Sequence, residues 1–94
     1  MSVLLTVTYR VSADVDAFRA RAAEAAARIA GWPGLRWKIR GLDPDGAGVS
    51  AHLFETPDAA DAFAAGPVIA GLKANPVVEG VTLASAPWMR RCRG

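Results

Sequence analysis

The sequence predicts an α+β domain of the ferredoxin-like βαββαβ type: an antiparallel four-stranded sheet with two helices on one face. Three observations predict it. Period-two alternation recurs in four separated segments, two helix-patterned segments lie between them, and one turn-rich stretch joins the two middle strands. Residues 3–11 (VLLTVTYRV) put Leu5, Val7, Tyr9 and Val11 on one side and Leu4, Thr6, Thr8 and Arg10 on the other. Ser12 and Asp14 then offer capping oxygens, and Asp14 and Asp16 suit the positive end of a helix dipole. Val15, Phe18, Ala22, Ala25 and Ile29 recur at helical spacing, so a helix is expected over 13–30, stopped by Gly31 and Pro33.

Leu35, Trp37 and Ile39 alternate with Arg36, Lys38 and Arg40 in a second strand, and the turn residues DPDGAG at 43–48 return it to a third over 49–55. Thr56-Pro57-Asp58 supplies a capping hydroxyl, a proline at the first helical position and an early acid. The helix that follows should fail at Gly66-Pro67, with a short helical turn near 68–73 before Asn75-Pro76. A last strand is expected over 77–86, ended by Pro87. Asp-Ala-Phe occurs near the start of each helix, at 16–18 and 61–63, as two stacked βαβ halves would show.

Ninety-four residues hold one domain (1–94), here a core over 3–87 and a basic tail over 88–94. Hydrophobic residues make up 52% and the mean hydropathy is +0.20, more apolar surface than one small core needs, which favours a homodimer. No apolar run approaches the roughly 20 residues of a membrane helix. Residues 1–2 lead straight into a strand pattern with no basic leader, and the single Cys92 makes no internal disulfide. The expectation is a cytoplasmic protein with no membrane partner. The formal charge is only +2, part of it from Arg90, Arg91 and Arg93, which gives little support to nucleic-acid binding.

Alternation also assigns faces. Grouped by apolarity, the odd residues of the first strand join Leu35, Trp37, Ile39, Val49, Ala51, Leu53, Val81 and Leu83. That face is expected to meet Phe18, Ile29 and Phe63 beneath the helices. The other face is mixed: Leu4, Thr6, Thr8, Arg36, Lys38, Arg40, Ser50, His52, Phe54, Val78 and Thr82. Leu4, Phe54 and Val78 would be uncomfortable in water, so this face is expected to pair with the sheet of a second copy. Arg36, Lys38 and Arg40 also raise an RNA-binding module. Such a surface needs stacking aromatics, and the basic side offers only Phe54, so no nucleic acid is expected.

The segments "LLTVTYRV", "WPGLRWKIR" and "HLFETPDAADAF", with the final strand ending at Pro87, resemble the YdhR-like mono-oxygenase family in order and spacing over nearly the whole chain. The resemblance implies a dimeric α+β barrel in which two sheets close on each other with the helices outside. It also implies a cofactor-independent mono-oxygenase, an oxidoreductase acting on a hydroxylated polycyclic or quinoid aromatic. The same pocket without turnover would make a small-ligand-binding or stress-associated barrel. The family pattern often carries tyrosine where this chain has His52.

The residues supply candidates for that chemistry. His52 is the only histidine and titrates near neutrality, so it is the candidate general base; its alternative is a structural role. Lys38, in the "WK" motif, is the candidate partner for a developing oxyanion, or else pairs with a carboxylate across a dimer. Tyr9, Phe18, Trp37 and Phe63 are the candidate walls for a flat ligand, with Trp37 read first as a core residue beneath the helices. One His and one Cys far apart make no metal cluster, and there is neither a dinucleotide fingerprint nor a P-loop. By the same resemblance, haem-degrading relatives of the barrel would place a histidine on a helix; neither helix here carries one, which disfavours haem. No cofactor is expected.

Overall fold

A computed structural model describes residues 1–88; Cys92 and the arginines of the tail lie outside the described residues. The elements are β1 (Val3–Val11), α1 (Val15–Ile29), β2 (Leu35–Leu42), β3 (Ala47–Phe54), α2 (Pro57–Ala64), α3 (Pro67–Ala74) and β4 (Val78–Pro87). The strands form one antiparallel sheet in the order β2-β3-β1-β4. This is the βαββαβ arrangement the sequence predicts, with the expected short turn after α2 lengthened into the helix α3. No helix among the described residues is long and apolar enough to cross a membrane.

Local chemistry sets the boundaries. Asp14 takes a left-handed backbone conformation (φ 47°), and its carboxylate accepts the Ala17 N–H at 3.1 Å to cap α1. Thr56 caps α2 in the same way through the Ala59 N–H, with Pro57 behind it at the first helical position. α3 ends at Asn75, which Pro76 forces into extended backbone and whose Oδ1 accepts the Val77 N–H at 3.0 Å. Between β2 and β3, the Asp43 carboxylate accepts the N–H groups of Asp45 and Ala47, while Gly46 takes φ 98° to close the turn.

The core lies between the sheet and the helices. Val3, Leu5 and Val7 of β1 meet Phe54, Ile29, Ala60, Phe63 and Ile69, all buried. The face assignment for β2 and β3 is overturned. β1 Leu5 pairs with His52 and Val7 with Ser50, so the even residues of β3 share the helix side with the odd residues of β1. Lys38 pairs with His52 and Arg40 with Ser50, which brings the basic residues of β2 to that side too. Phe54 and Val78, expected on the open face, are core. A register shift between Leu35 and Trp37 then splits two residues that alternation placed together. Leu35 packs against the core, whereas Trp37 turns to the opposite face beside Leu53. Trp88, assigned to the tail, continues the sheet: its N–H donates to the Ser2 carbonyl at 2.9 Å, and its ring meets Trp37 edge-on at 5.8 Å.

Candidate functional site

A cleft of about 290 Å³ opens between α1, α3 and the β2–β3 half of the sheet. Its floor is Lys38, Arg40, Ser50 and His52, brought into line by the β2–β3 register. α1 supplies Phe18, Ala22 and Ala25 as an apolar wall, flanked by Arg21 and Arg28. Val68, Gly71 and Leu72 of α3 close the other side, with Asn75 at its end. The small residues of α1 leave the space: a helix packs a sheet through its side chains, and alanines at successive turns recede where larger residues would fill.

His52 is 3% exposed, yet it lines this cleft. Its ring lies 4.9 Å from Phe63 and stacks at 6.2 Å on Phe54. Nδ1 sits 3.4 Å from the Leu5 carbonyl. A carbonyl only accepts, so this contact places the proton on Nδ1 and leaves Nε2 as the ring nitrogen with a free lone pair. Burial holds the imidazole below its ordinary pKa, the Leu5 carbonyl opposes that shift, and the Lys38 charge adds to it. At neutral pH the ring is therefore the uncharged base.

Lys38 is half-buried, and its ammonium is pushed below the usual lysine range by burial and then by Arg40. Arg40 donates from Nη1 to the Ala22 carbonyl at 2.6 Å, tying β2 to the middle of α1. Tyr9, expected as a ligand wall, does not line this cleft: it borders a separate pocket with Thr8, Arg10, Glu79 and Gly80, and its ring lies 5.7 Å from that of Phe18. Burial raises the Tyr9 hydroxyl pKa, and the Arg40 charge opposes the rise.

The structure thus brings together residues that the face assignment had separated. His52 and Lys38 stand on the same side of the sheet as Phe18, with Tyr9 adjacent. Phe63 lies behind His52, in the core and outside the cleft lining. Trp37 is on the far face, 37% exposed, and touches neither the cleft nor the helices' core. Sequence reasoning missed Arg21, Arg28 and Arg40 as cleft residues. The signal was present for two of them: Arg21, Ala25 and Arg28 follow one helical stripe. No group of three or more His, Cys, Asp or Glu that could hold a metal occurs among the described residues.

No family model matches the sequence, and no curated protein matches it. Solved structures do. SnoaB, a cofactor-independent oxygenase from Streptomyces nogalater, superposes with a TM-score of 0.76 at 17% identity, over 96% of this chain and 95% of that one. A Deinococcus radiodurans protein assigned as an antibiotic biosynthesis monooxygenase gives 0.77 at 16% identity, over 97% and 96%. These structures share the ferredoxin-like α+β fold of this chain. A mutant of MhuD, with two manganese protoporphyrin IX molecules bound per active site, gives 0.72 at 24% identity over 98% and 99%. These likenesses show the fold and do not single out the YdhR-like family that the sequence resembles.

Proposed function

We propose that the protein is a cofactor-independent mono-oxygenase of a planar, weakly acidic aromatic, an anthrone or polycyclic phenol, bound in the helix-side cleft. The observation that carries this reading is His52: a buried imidazole on the cleft floor, uncharged at neutral pH, with Nδ1 committed to the Leu5 carbonyl. Nε2 takes the acidic proton of the substrate, and Lys38 across the strand pair stabilises the oxygen on which the negative charge develops. The electron-rich anion passes one electron to dioxygen, and the substrate radical and superoxide combine at carbon. His52 returns its proton to the resulting peroxide, and loss of water leaves a carbonyl. One CH₂ and one O₂ become one C=O and one H₂O, so neither flavin nor metal is required for balance.

The fold neighbours support the reading, since one of them is a cofactor-independent oxygenase. A YdhR-like placement is compatible with the same cleft. We also take the working unit to be a homodimer. Trp37, Ile39, Val49 and Trp88 are exposed together on the open sheet face, where a second sheet would cover them. Dioxygen uptake by metal-stripped protein, with anthrones and polycyclic phenols as substrates, is the test. Uptake above spontaneous oxidation, with one atom of ¹⁸O₂ in the product, is the expected result. Binding of the same compounds without uptake would overturn the oxygenase and leave a ligand-binding barrel.

A further inference from the structure

The charge around the cleft is out of proportion to the chain. Eleven basic and nine acidic residues nearly balance overall, yet Arg21, Arg28, Lys38 and Arg40 all line this one cleft and no carboxylate does. Among the described residues none of the four has an acidic partner: the ion pair found there joins Arg19 to Asp16, near the start of α1. Arg40 is held by a backbone carbonyl, which fixes its position without neutralising it. Arg21 and Arg28 stand two turns apart on α1, a span of roughly 10 Å along the helix axis. Like charges around a partly apolar concavity repel, more strongly as water is excluded; the Lys38 ammonium is pushed down by burial first and then by the charge of Arg40. A bound anion relieves that repulsion.

We infer that the cleft takes its aromatic ligand as a carboxylate: the ring lies against Phe18 and the alanine wall, and the carboxylate faces the arginines of α1. The acidic group of the same molecule then points to the floor, at His52 and Lys38. Guanidinium matches a carboxylate as a two-pronged donor, which a lysine rim would not do. A cleft of about 290 Å³ lies at the lower edge of small-molecule sites, which limits the ring system to two or three rings. This inference rests on the proposed function only for the orientation of the acidic group; the charge preference stands without turnover.

Calorimetry with three probes tests it: 1-hydroxy-2-naphthoate, its methyl ester, and 1-naphthol. The carboxylate is expected to bind at least about tenfold more tightly than the ester at low salt. That margin should shrink in about 0.5 M salt, where charges are screened. Arg21→Gln with Arg28→Gln should abolish the margin and leave ester affinity in place. Both arginines are exposed, so the fold should survive, and circular dichroism checks that. Restoring charge with Arg21→Lys and Arg28→Lys should return part of the margin. Equal affinity for acid and ester, failure of the acid to bind, or a margin untouched by the double glutamine variant would overturn the inference. Oxygen uptake from neutral anthrones alongside equal affinities would keep the oxygenase and sink the anion site; the carboxylate preference without any uptake would do the reverse.

Discussion

At position 52 one imidazole serves packing and chemistry, and substitution can separate the two. The sequence alone predicts a mild effect for His52→Ala, because it places the residue on a mixed open face. The structure changes that: the ring is buried against Phe54 and Phe63, so alanine leaves a cavity and should cost roughly 2–4 kcal/mol, read from denaturant midpoints. His52→Asn is the better probe, since its amide nitrogen can keep the donor to the Leu5 carbonyl while removing the lone pair at Nε2. A folded Asn variant should lose about 10²–10⁴ in kcat/KM; undiminished turnover would remove His52 as the base. The pH dependence carries its own sign. The folded pKa lies below the ordinary value of about 6.5, so the base form persists above that pH, and protonation of His52 lowers activity on the acid side. Stability follows the same window: as pH drops through 6.5 the unfolded chain takes up a proton that the folded ring refuses, and stability declines until the folded pKa is passed. Lys38→Gln removes a repelling charge, so the acid limb should move up towards 6.5. A limb that stays put would mean that Lys38 does not act on His52.

Between elements, the register of β1 on β3 decides which residues meet, and Gly48 shows how tightly. Gly48 pairs with Tyr9, and a Cβ built at Gly48 would clash with the Tyr9 ring carbons. Gly48→Ala must therefore push the ring, which is also in contact with Phe18 at the cleft wall. The expected cost is roughly 1–3 kcal/mol together with weaker ligand binding, and Tyr9→Val in the same chain should recover most of the stability. A fully additive double variant would deny the contact. The elements themselves were legible: Thr56-Pro57 and Asp14 cap helices where their side chains can reach free N–H groups, and β1 alternates cleanly. The faces of β2 and β3 were not. Leu53 and Phe54 are adjacent and both buried, so hydrophobicity could not say which pointed to the helices. The shift after Leu35 inserts one residue that no alternation pattern records, and it carries Trp37 out of the expected slot. The same inversion hid the site, by placing His52 and Lys38 opposite to Phe18.

For the whole molecule, an ambiguous alternation is itself informative: it arises where both faces of a sheet carry apolar groups. One face is covered by the helices. The other carries Ile39 at 65% exposure, Val49 at 48%, Trp88 at 41% and Trp37 at 37%, beside Leu4 and Ala51. A second sheet laid on this face would bury all of them, and two-fold symmetry would place each side chain in the interface twice. The wild-type protein should therefore sediment as a dimer. Ile39→Lys puts two unpaired ammonium groups into the contact, each costing several kcal/mol unless it reaches water, so this variant should sediment as a monomer. Because Ile39 is exposed in the single subunit, the monomer should keep its fold and its circular dichroism. Trp37→Ala tests the same face without charge. Its edge-on partner Trp88 loses about 0.5–1.5 kcal/mol of contact within the subunit, far from the loss a core tryptophan would bring. Its larger effect should be a weaker dimer, seen as a melting temperature that depends more steeply on protein concentration. The cleft opens on the helix side, away from this face, so the Ile39→Lys monomer should still bind aromatic ligands. A monomeric wild type would leave the open face without the partner proposed for it; a dimer indifferent to Ile39→Lys would place the contact elsewhere on the surface.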